Sequence, residues 1–371
     1  MTPAARAGDS VAAIDTPALV IDLDAMERNI ARMAAFAAAQ RLRLRPHAKT
    51  HKCAAIAALQ LAAGAVGVCV QKLGEAEALA ERGVNDIYLT NEIVDRAKLS
   101  RLAALASRIT LSVAVDSALG IDRLAQALKG SRASVTVFVE IDVGHGRCGV
   151  APAASGALAH QVVSHGMRFG GLQAYQGRAQ HLRGDAERSA AIAHAVALVR
   201  AAQASITSAG IACPLVTGAG TGSFVHEAAS GIYGELQAGS YIFMDRDYAD
   251  NQPSAGAPLF EQALFVKTQV MSWGASHVVL DAGHKAHAID SGLPVVWGRD
   301  HAVANGGDEH TVLRRGPSGA ELPALGETVW LVPGHCDPTV NLHDHFIGVR
   351  GGLDDGRVES VWAIEARGAL R

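Results

Sequence analysis

Residues 110–141, TLSVAVDSALGIDRLAQALKGSRASVTVFVEI, decide the fold. Two apolar, partly β-branched runs, 110–115 and 135–141, flank a segment whose Leu, Ala and charged residues recur at helical spacing. Such a strand–helix–strand unit joins parallel strands, because a parallel pair needs a crossover of a dozen or more residues. Working outward from it, further strands are predicted at 18–22, 42–46, 67–70, 87–90, 169–174 and 214–217. Ala- and Leu-rich segments lie between them, among them 24–40, with Asp24 near its start and Met26, Ile30, Met33 and Phe36 on one face. Eight strands alternating with helices predict a TIM-type (β/α)8 barrel over 14–236, with chemistry at the C-terminal ends of the strands. After residue 236 the pattern changes. ALFVKTQVMS, SHVVLDAG, ETVWLVPG, HFIGVRG and RVESVWAIEA are strand-like runs separated by Gly, Pro and Asp turns, which predicts a mostly antiparallel β domain over 237–371.

The 371 residues, 49% hydrophobic and 19% charged, suit a compact chain that buries a large core. The formal net charge of −3, with no basic stripe or acidic tail, argues against nucleic acid or a membrane surface as partner and for a small-molecule ligand. Five cysteines at wide spacings, without a CxxC pair, make a poor disulfide framework and point to the reducing cytoplasm. Apolar stretches are broken by Gly or charges well short of about 20 residues, so no membrane span is expected.

Four segments carry potential chemistry. Arg45 to Lys52, RPHAKTHK, follows the predicted second strand; Lys49 at that rim, beside other cations, suits a depressed amine pKa and Schiff-base chemistry, the alternative being a solvated basic turn. Thr217 to Ser223, TGAGTGS, follows the predicted eighth strand, where glycine N–H groups with Thr221 and Ser223 could converge on a phosphate, or form only a turn. In His335-Cys336-Asp337-Pro338, read as extended, residues i and i+2 share a face, so His335 and Asp337 present an N/O pair suited to Mn²⁺, Mg²⁺ or Co²⁺. Cys336 as ligand would instead favour Zn²⁺. Arg147, in EIDVGHGRCG, can reach a ring oxygen or carboxylate at the mouth, or pair with Asp142. Gln173, Tyr175 and His181 are further rim candidates.

These segments resemble, in one order along most of the chain, the D-threonine aldolase and D-serine dehydratase family of fold-type III pyridoxal-phosphate enzymes, whose barrel is shared with alanine racemase. The resemblance rests on DTPALV (15–20), PHAKTHK, VCVQK (68–72), TNE (90–92), EIDVGHGRCGV, GLQAYQG, TGAGTGS, ELQAGSYIFMD (235–245), VVLDAGHKA (278–286), DEH (308–310) and VPGHCDPTVNLHD (332–344). It implies that Lys49 carries pyridoxal 5'-phosphate and that Arg147 lies near the ring's phenolic oxygen. Tyr175 would lie at the ring, and Gly220, Thr221, Gly222 and Ser223 at the phosphate. It further implies His181 near the substrate hydroxyl and His335 with Asp337 on a divalent metal, Mn²⁺ or Mg²⁺. Aldolases of the family resemble His-x-Asp and dehydratases His-x-Cys; His335-Cys336-Asp337 therefore favours retro-aldol cleavage of D-β-hydroxy amino acids such as D-threonine. Dehydration of D-serine or 3-hydroxy-D-aspartate is the rival reading. A non-catalytic cofactor-binding barrel is a third, which the extra C-terminal residues carrying a metal motif disfavour. A homodimer is implied by the same resemblance.

Overall fold

The computed structural model describes residues 2–131 and 133–371. Eight parallel strands, Arg43–Leu44, Val68–Val70, Asp86–Leu89, Thr110–Val115, Val135–Glu140, Arg168–Gln173, Val216–Gly218 and Glu235–Leu236, form one curled sheet in which the first strand pairs with the last. The seam between the first and second strands is joined beyond Leu44, where Ala48 N–H donates to the Cys69 carbonyl and Cys69 N–H to the Pro46 carbonyl, both at 2.8 Å. Inward-facing Cys69, Tyr88, Ala114 and Phe138 fill the lumen, so the barrel is packed rather than hollow. Outward residues of the same strands, such as Val113, Val137 and Val139, meet the surrounding helices. Each such buried side chain contributes about 1.5–3 kcal/mol.

Two strands differ from the sequence reading. Ala18–Asp22 is not a barrel strand; it lies in the second sheet, antiparallel to Leu264–Trp273 and parallel to His345–Arg350. Its alternation explains why: Leu19 and Ile21 face the core of helix Leu23–Ala39 and Phe243, while Ala18 and Val20 face Ile347, Val349 and Val358. The run at 214–217 becomes the seventh barrel strand, and the two-residue Glu235–Leu236 supplies the eighth. The second sheet has nine strands, all antiparallel to their neighbours except for that one parallel pair.

Helix Asp185–Ser208, 24 residues, is long and apolar enough to cross a membrane by length and composition. Its Ile192, Ala195, Val199, Ala202 and Ile206 are spent instead on the barrel's outer core.

Candidate active site

A cavity of about 390 Å³ opens where the barrel strands end, within the range of small-molecule sites. Lys49, Arg147, Tyr175, Gly220 and Thr221 line it. A larger groove of about 520 Å³, beside Asp122 and His165, lies away from all of these residues.

The basic segment after the first strand is not a solvated turn. Arg45 is buried and paired with Glu235 and Asp86, Lys52 is buried on Glu75, and His51 is fully buried, which pushes its pKa down to about 4. His47 is held neutral by burial and by the neighbouring Lys49, and its Nε2 lies 3.1 Å from both Thr90 Oγ1 and Gln71 Nε2. Of the segment's Arg and Lys side chains, Lys49 alone lines the cavity among the described residues, beside His47 and Thr50, its Nζ 2.5 Å from Asp337 Oδ2. The expectation of a depressed amine is overturned. Burial pulls Lys49 down, but the Asp337 carboxylate more than offsets it and lifts its pKa above the ordinary lysine range. Asp337 is correspondingly held well below the usual carboxylate range, Lys49 outweighing its burial.

The metal-motif segment is helical, not extended. His335 is the N-cap, and Cys336–Val340 forms a short helix whose third residue is Pro338, tolerated in the first turn because its missing N–H has no intrahelical partner there. Asp245, fully buried, accepts the Cys336 N–H at 2.8 Å and fixes the segment's entry. Helical geometry carries Asp337 to Lys49 and buries Cys336, whose Sγ sits 3.5 Å from Asp337 Oδ1 rather than facing away. Burial raises the Cys336 thiol well above its ordinary range, so the uncharged form is favoured there, whereas thiolate is the metal ligand. His335 Nδ1 is 2.7 Å from Asp290 Oδ2, the carboxylate–histidine pairing that orients an imidazole toward a metal through its other nitrogen. The two residues thus suit an ion with open coordination positions, and among the described residues no group of three or more such ligands occurs.

Gly220 and Thr221 face the cavity, while Gly222 and Ser223 do not line it. Gly222 N–H donates to Gln180 Oε1, and the Ser223 hydroxyl donates to Glu227 while accepting from Gln180 Nε2. Thr221 Oγ1 is buried without a partner among the described residues, and the Gly220 and Gly239 N–H groups likewise meet no protein acceptor there. A side chain at Gly239 would collide with the His47 carbonyl and Thr50 Oγ1, both 2.7 Å from its Cβ position. Uncommitted donors beside a lysine fit a phosphorylated aldehyde cofactor. Gly239 and Ser240 were missed as site residues, although ELQAGSYIFMD carries a Gly-Ser pair; Asp290, Asp245 and Gln180 were missed because nothing local ties them to the site.

Arg147 does not pair with Asp142, which accepts the Gly144 and Gly146 N–H groups. Its guanidinium lies 3.9 Å from Glu140 and 5.7 Å from the Tyr175 ring centroid. Burial, then neighbouring Glu92, raises the Glu140 carboxyl well above the usual carboxylate range, which favours its neutral form and weakens its pairing with Arg147. His181 lies outside the lining. Its Nδ1 is 2.6 Å from Asp247 Oδ2, which raises its pKa, and its ring stacks on Tyr248, which does line the cavity.

Beneath the glycine loop, Glu227 is wholly buried with Oε2 unpartnered among the described residues, and burial pushes it up to about 7. An unfolded glutamate titrates near about 4.3, so between these values unfolding releases a proton and stability falls as pH rises. Glu227→Gln should remove that slope, gaining up to about 3 kcal/mol relative to the parent at pH 8 compared with pH 4, as read from denaturant midpoints. Parallel profiles for the two proteins would refute the assignment.

The sequence matches two families, the alanine racemase N-terminal domain over residues 21–247 and the serine dehydratase domain over 263–349. It is 45% identical to a D-threonine aldolase of Arthrobacter sp. over all of this chain and 97% of the relative. It is 43% identical to a 3-hydroxy-D-aspartate aldolase of Paracoccus denitrificans over 96% of this chain and 92% of that protein. The crystal structure of D-threonine aldolase from Filomicrobium marinum superposes with a TM-score of 0.95 at 46% identity, covering 99% of this chain and 100% of that one. With sequence similarity and fold shared along the whole length, the chain belongs to the D-threonine aldolase and D-serine dehydratase family, built on the alanine racemase barrel.

Proposed function

We propose that the protein is a carbon–carbon lyase that cleaves D-β-hydroxy amino acids, D-threonine among them, to glycine and an aldehyde. The observation that carries this reading is that Asp337, not Cys336, reaches Lys49 at the cavity, in the His-x-Asp arrangement of the aldolase branch. Lys49 would hold pyridoxal phosphate, with Gly220, Thr221 and Gly239 at its phosphate and Arg147 and Tyr175 at its ring. When bound, that cofactor supplies an electron sink for the pair left on Cα as the Cα–Cβ bond breaks. His335 and Asp337 would hold a divalent ion, Mn²⁺ or Mg²⁺, which supplies Lewis acidity toward the β-hydroxyl.

The chain's own groups do the rest. Asp290 fixes the His335 ring, and Asp245 fixes the backbone that presents Asp337. Asp247, bonded to His181 Nδ1, leaves Nε2 free and more basic, suited to take the hydroxyl proton. Gly222 and Ser223 act behind the phosphate, holding the loop through Gln180 and Glu227. We also propose a homodimer, to be read from the mass of the active species in solution; a fully active monomer would refute it.

Incubation of the loaded protein with D-threonine, D-serine and 3-hydroxy-D-aspartate tests the reaction. Glycine from D-threonine and from 3-hydroxy-D-aspartate is the expected result. A keto acid and ammonia in place of glycine would move the protein to the dehydratase branch, and no turnover of any of the three would leave a binding protein.

A further inference from the structure

The cavity carries more positive charge than its own acid can balance. Lys49, Lys72 and Arg147 all line it, while of the two nearby carboxyls Asp337 is committed to Lys49 and Glu140 lies 3.9 Å from Arg147. Three cations thus face two carboxyls, and Glu140 is buried beside Glu92, which favours its neutral form. Lys72 makes no ion pair and no side-chain hydrogen bond among the described residues. Its backbone is nonetheless fixed. Glu75 accepts the N–H groups of Gln71 at 2.9 Å and Lys72 at 3.1 Å, and Glu75 is itself tied to the buried Lys52. The wall beside it is ordered as well, with Asn91 donating to the Gln71 carbonyl at 2.9 Å and Gln71 to Thr90 at 3.0 Å. Lys72, an exposed side chain at the edge of the cavity, therefore has a fixed backbone and an uncommitted ammonium.

Its place around the ring adds direction. The donors suited to phosphate follow the seventh and eighth strands, Lys49 follows the first, and Lys72 follows the second, so Lys49 stands between the phosphate end and Lys72. Asp337, in the short helix assigned to the β-hydroxyl, reaches Lys49 and Ser240, on the eighth-strand side. A substrate whose amine is at Lys49 and whose hydroxyl is toward Asp337 has one anionic substituent left to place on Cα. We propose that Lys72 is the anchor for the α-carboxylate of the substrate. Together with the Lys49 and Asp337 positions it makes a three-point contact, and three fixed points around Cα select one configuration. Arg147, on the fifth strand's loop beside Tyr175, is left for the ring oxygen.

This inference rests on the aldolase reading, which glycine production by the parent protein tests separately. The direct test compares the parent, Lys72→Met and Lys72→Arg, each loaded with pyridoxal phosphate and Mn²⁺. For D-threonine, Lys72→Met should raise KM at least about tenfold, one charge-assisted contact, with a smaller change in kcat, and Lys72→Arg should recover part of the loss. Binding is read independently by spectral titration with D-alanine, which keeps amine and carboxylate but cannot be cleaved, and with 1-aminopropan-2-ol, which lacks the carboxylate. The ratio of the two dissociation constants should shift about tenfold toward the amino alcohol in Lys72→Met. An unchanged ratio, or weakening of both ligands alike, would overturn the proposal, as would full recovery of D-alanine affinity in the methionine variant by salt alone.

Discussion

Replacing Lys49 with alanine is expected to lower D-threonine cleavage by about 10³-fold or more and to remove the visible absorption of the pyridoxal-phosphate-loaded protein. The size of the effect follows from position: Lys49 is the one lysine of the RPHAKTHK segment that enters the cavity, and about 4 kcal/mol of barrier accompanies a thousandfold loss. Two neighbouring lysines make the assignment testable. Lys52 is buried against Glu75 and faces no ligand space, and Lys72 stands one strand further round. Borohydride reduction followed by peptide mapping should place the label on Lys49. A label on Lys52 or Lys72, or retention of the absorption band in Lys49→Ala, would show that the assignment is wrong.

The second large effect concerns the metal. Chelation is expected to abolish cleavage while leaving the visible band of the loaded protein, because the groups assigned to the cofactor are not those assigned to the ion. Mn²⁺ should restore activity. Asp337→Ala should reproduce chelation with a loss on the order of 100-fold or more, since it removes a ligand outright where loss of an orienting partner costs about 10–100-fold. Asp290→Asn, which weakens the hold on His335, belongs to that smaller range. Cys336→Ser should change cleavage little: the thiol is buried, favoured uncharged, and a hydroxyl of similar size can hydrogen-bond to Asp337 as the thiol does. An essential Cys336, a dispensable Asp337 and tightly held Zn²⁺ would instead mark dehydratase chemistry.

The barrel was legible because its helices and middle strands are long and periodic, as 110–141 illustrates. Its edges were not. Ala18–Asp22 is buried on both faces, and an uninterrupted apolar run reads the same in a parallel barrel as in the centre of another sheet. Its partners lie hundreds of residues away, beyond any local pattern. Glu235–Leu236 has only two residues, one of them a charged Glu buried against Arg45, so no periodicity announces it. In the site, residue types spoke for themselves at Lys49, Arg147 and Asp337, but the environment that sets their charge came from afar. Lys49 reads as a crowded cation until Asp337 is brought to it. The helix at Cys336 did have a local sign, an acid and a proline in what became its first turn.

The placement of Ala18–Asp22 also bears on how the chain is made. This strand leaves the ribosome well before one of its two partners, His345–Arg350. At about 5–20 residues per second the wait is tens of seconds, during which the barrel can assemble but the second sheet cannot. Both edges of this apolar strand are open until Leu264–Trp273 emerges, and one stays open until His345–Arg350 does, which makes it a template for intermolecular pairing. Chains cut short before His345 are expected to be lost to aggregation although they contain every barrel strand, and translation slowed between Trp273 and His345 should lengthen the interval in which Ala18–Asp22 needs a chaperone.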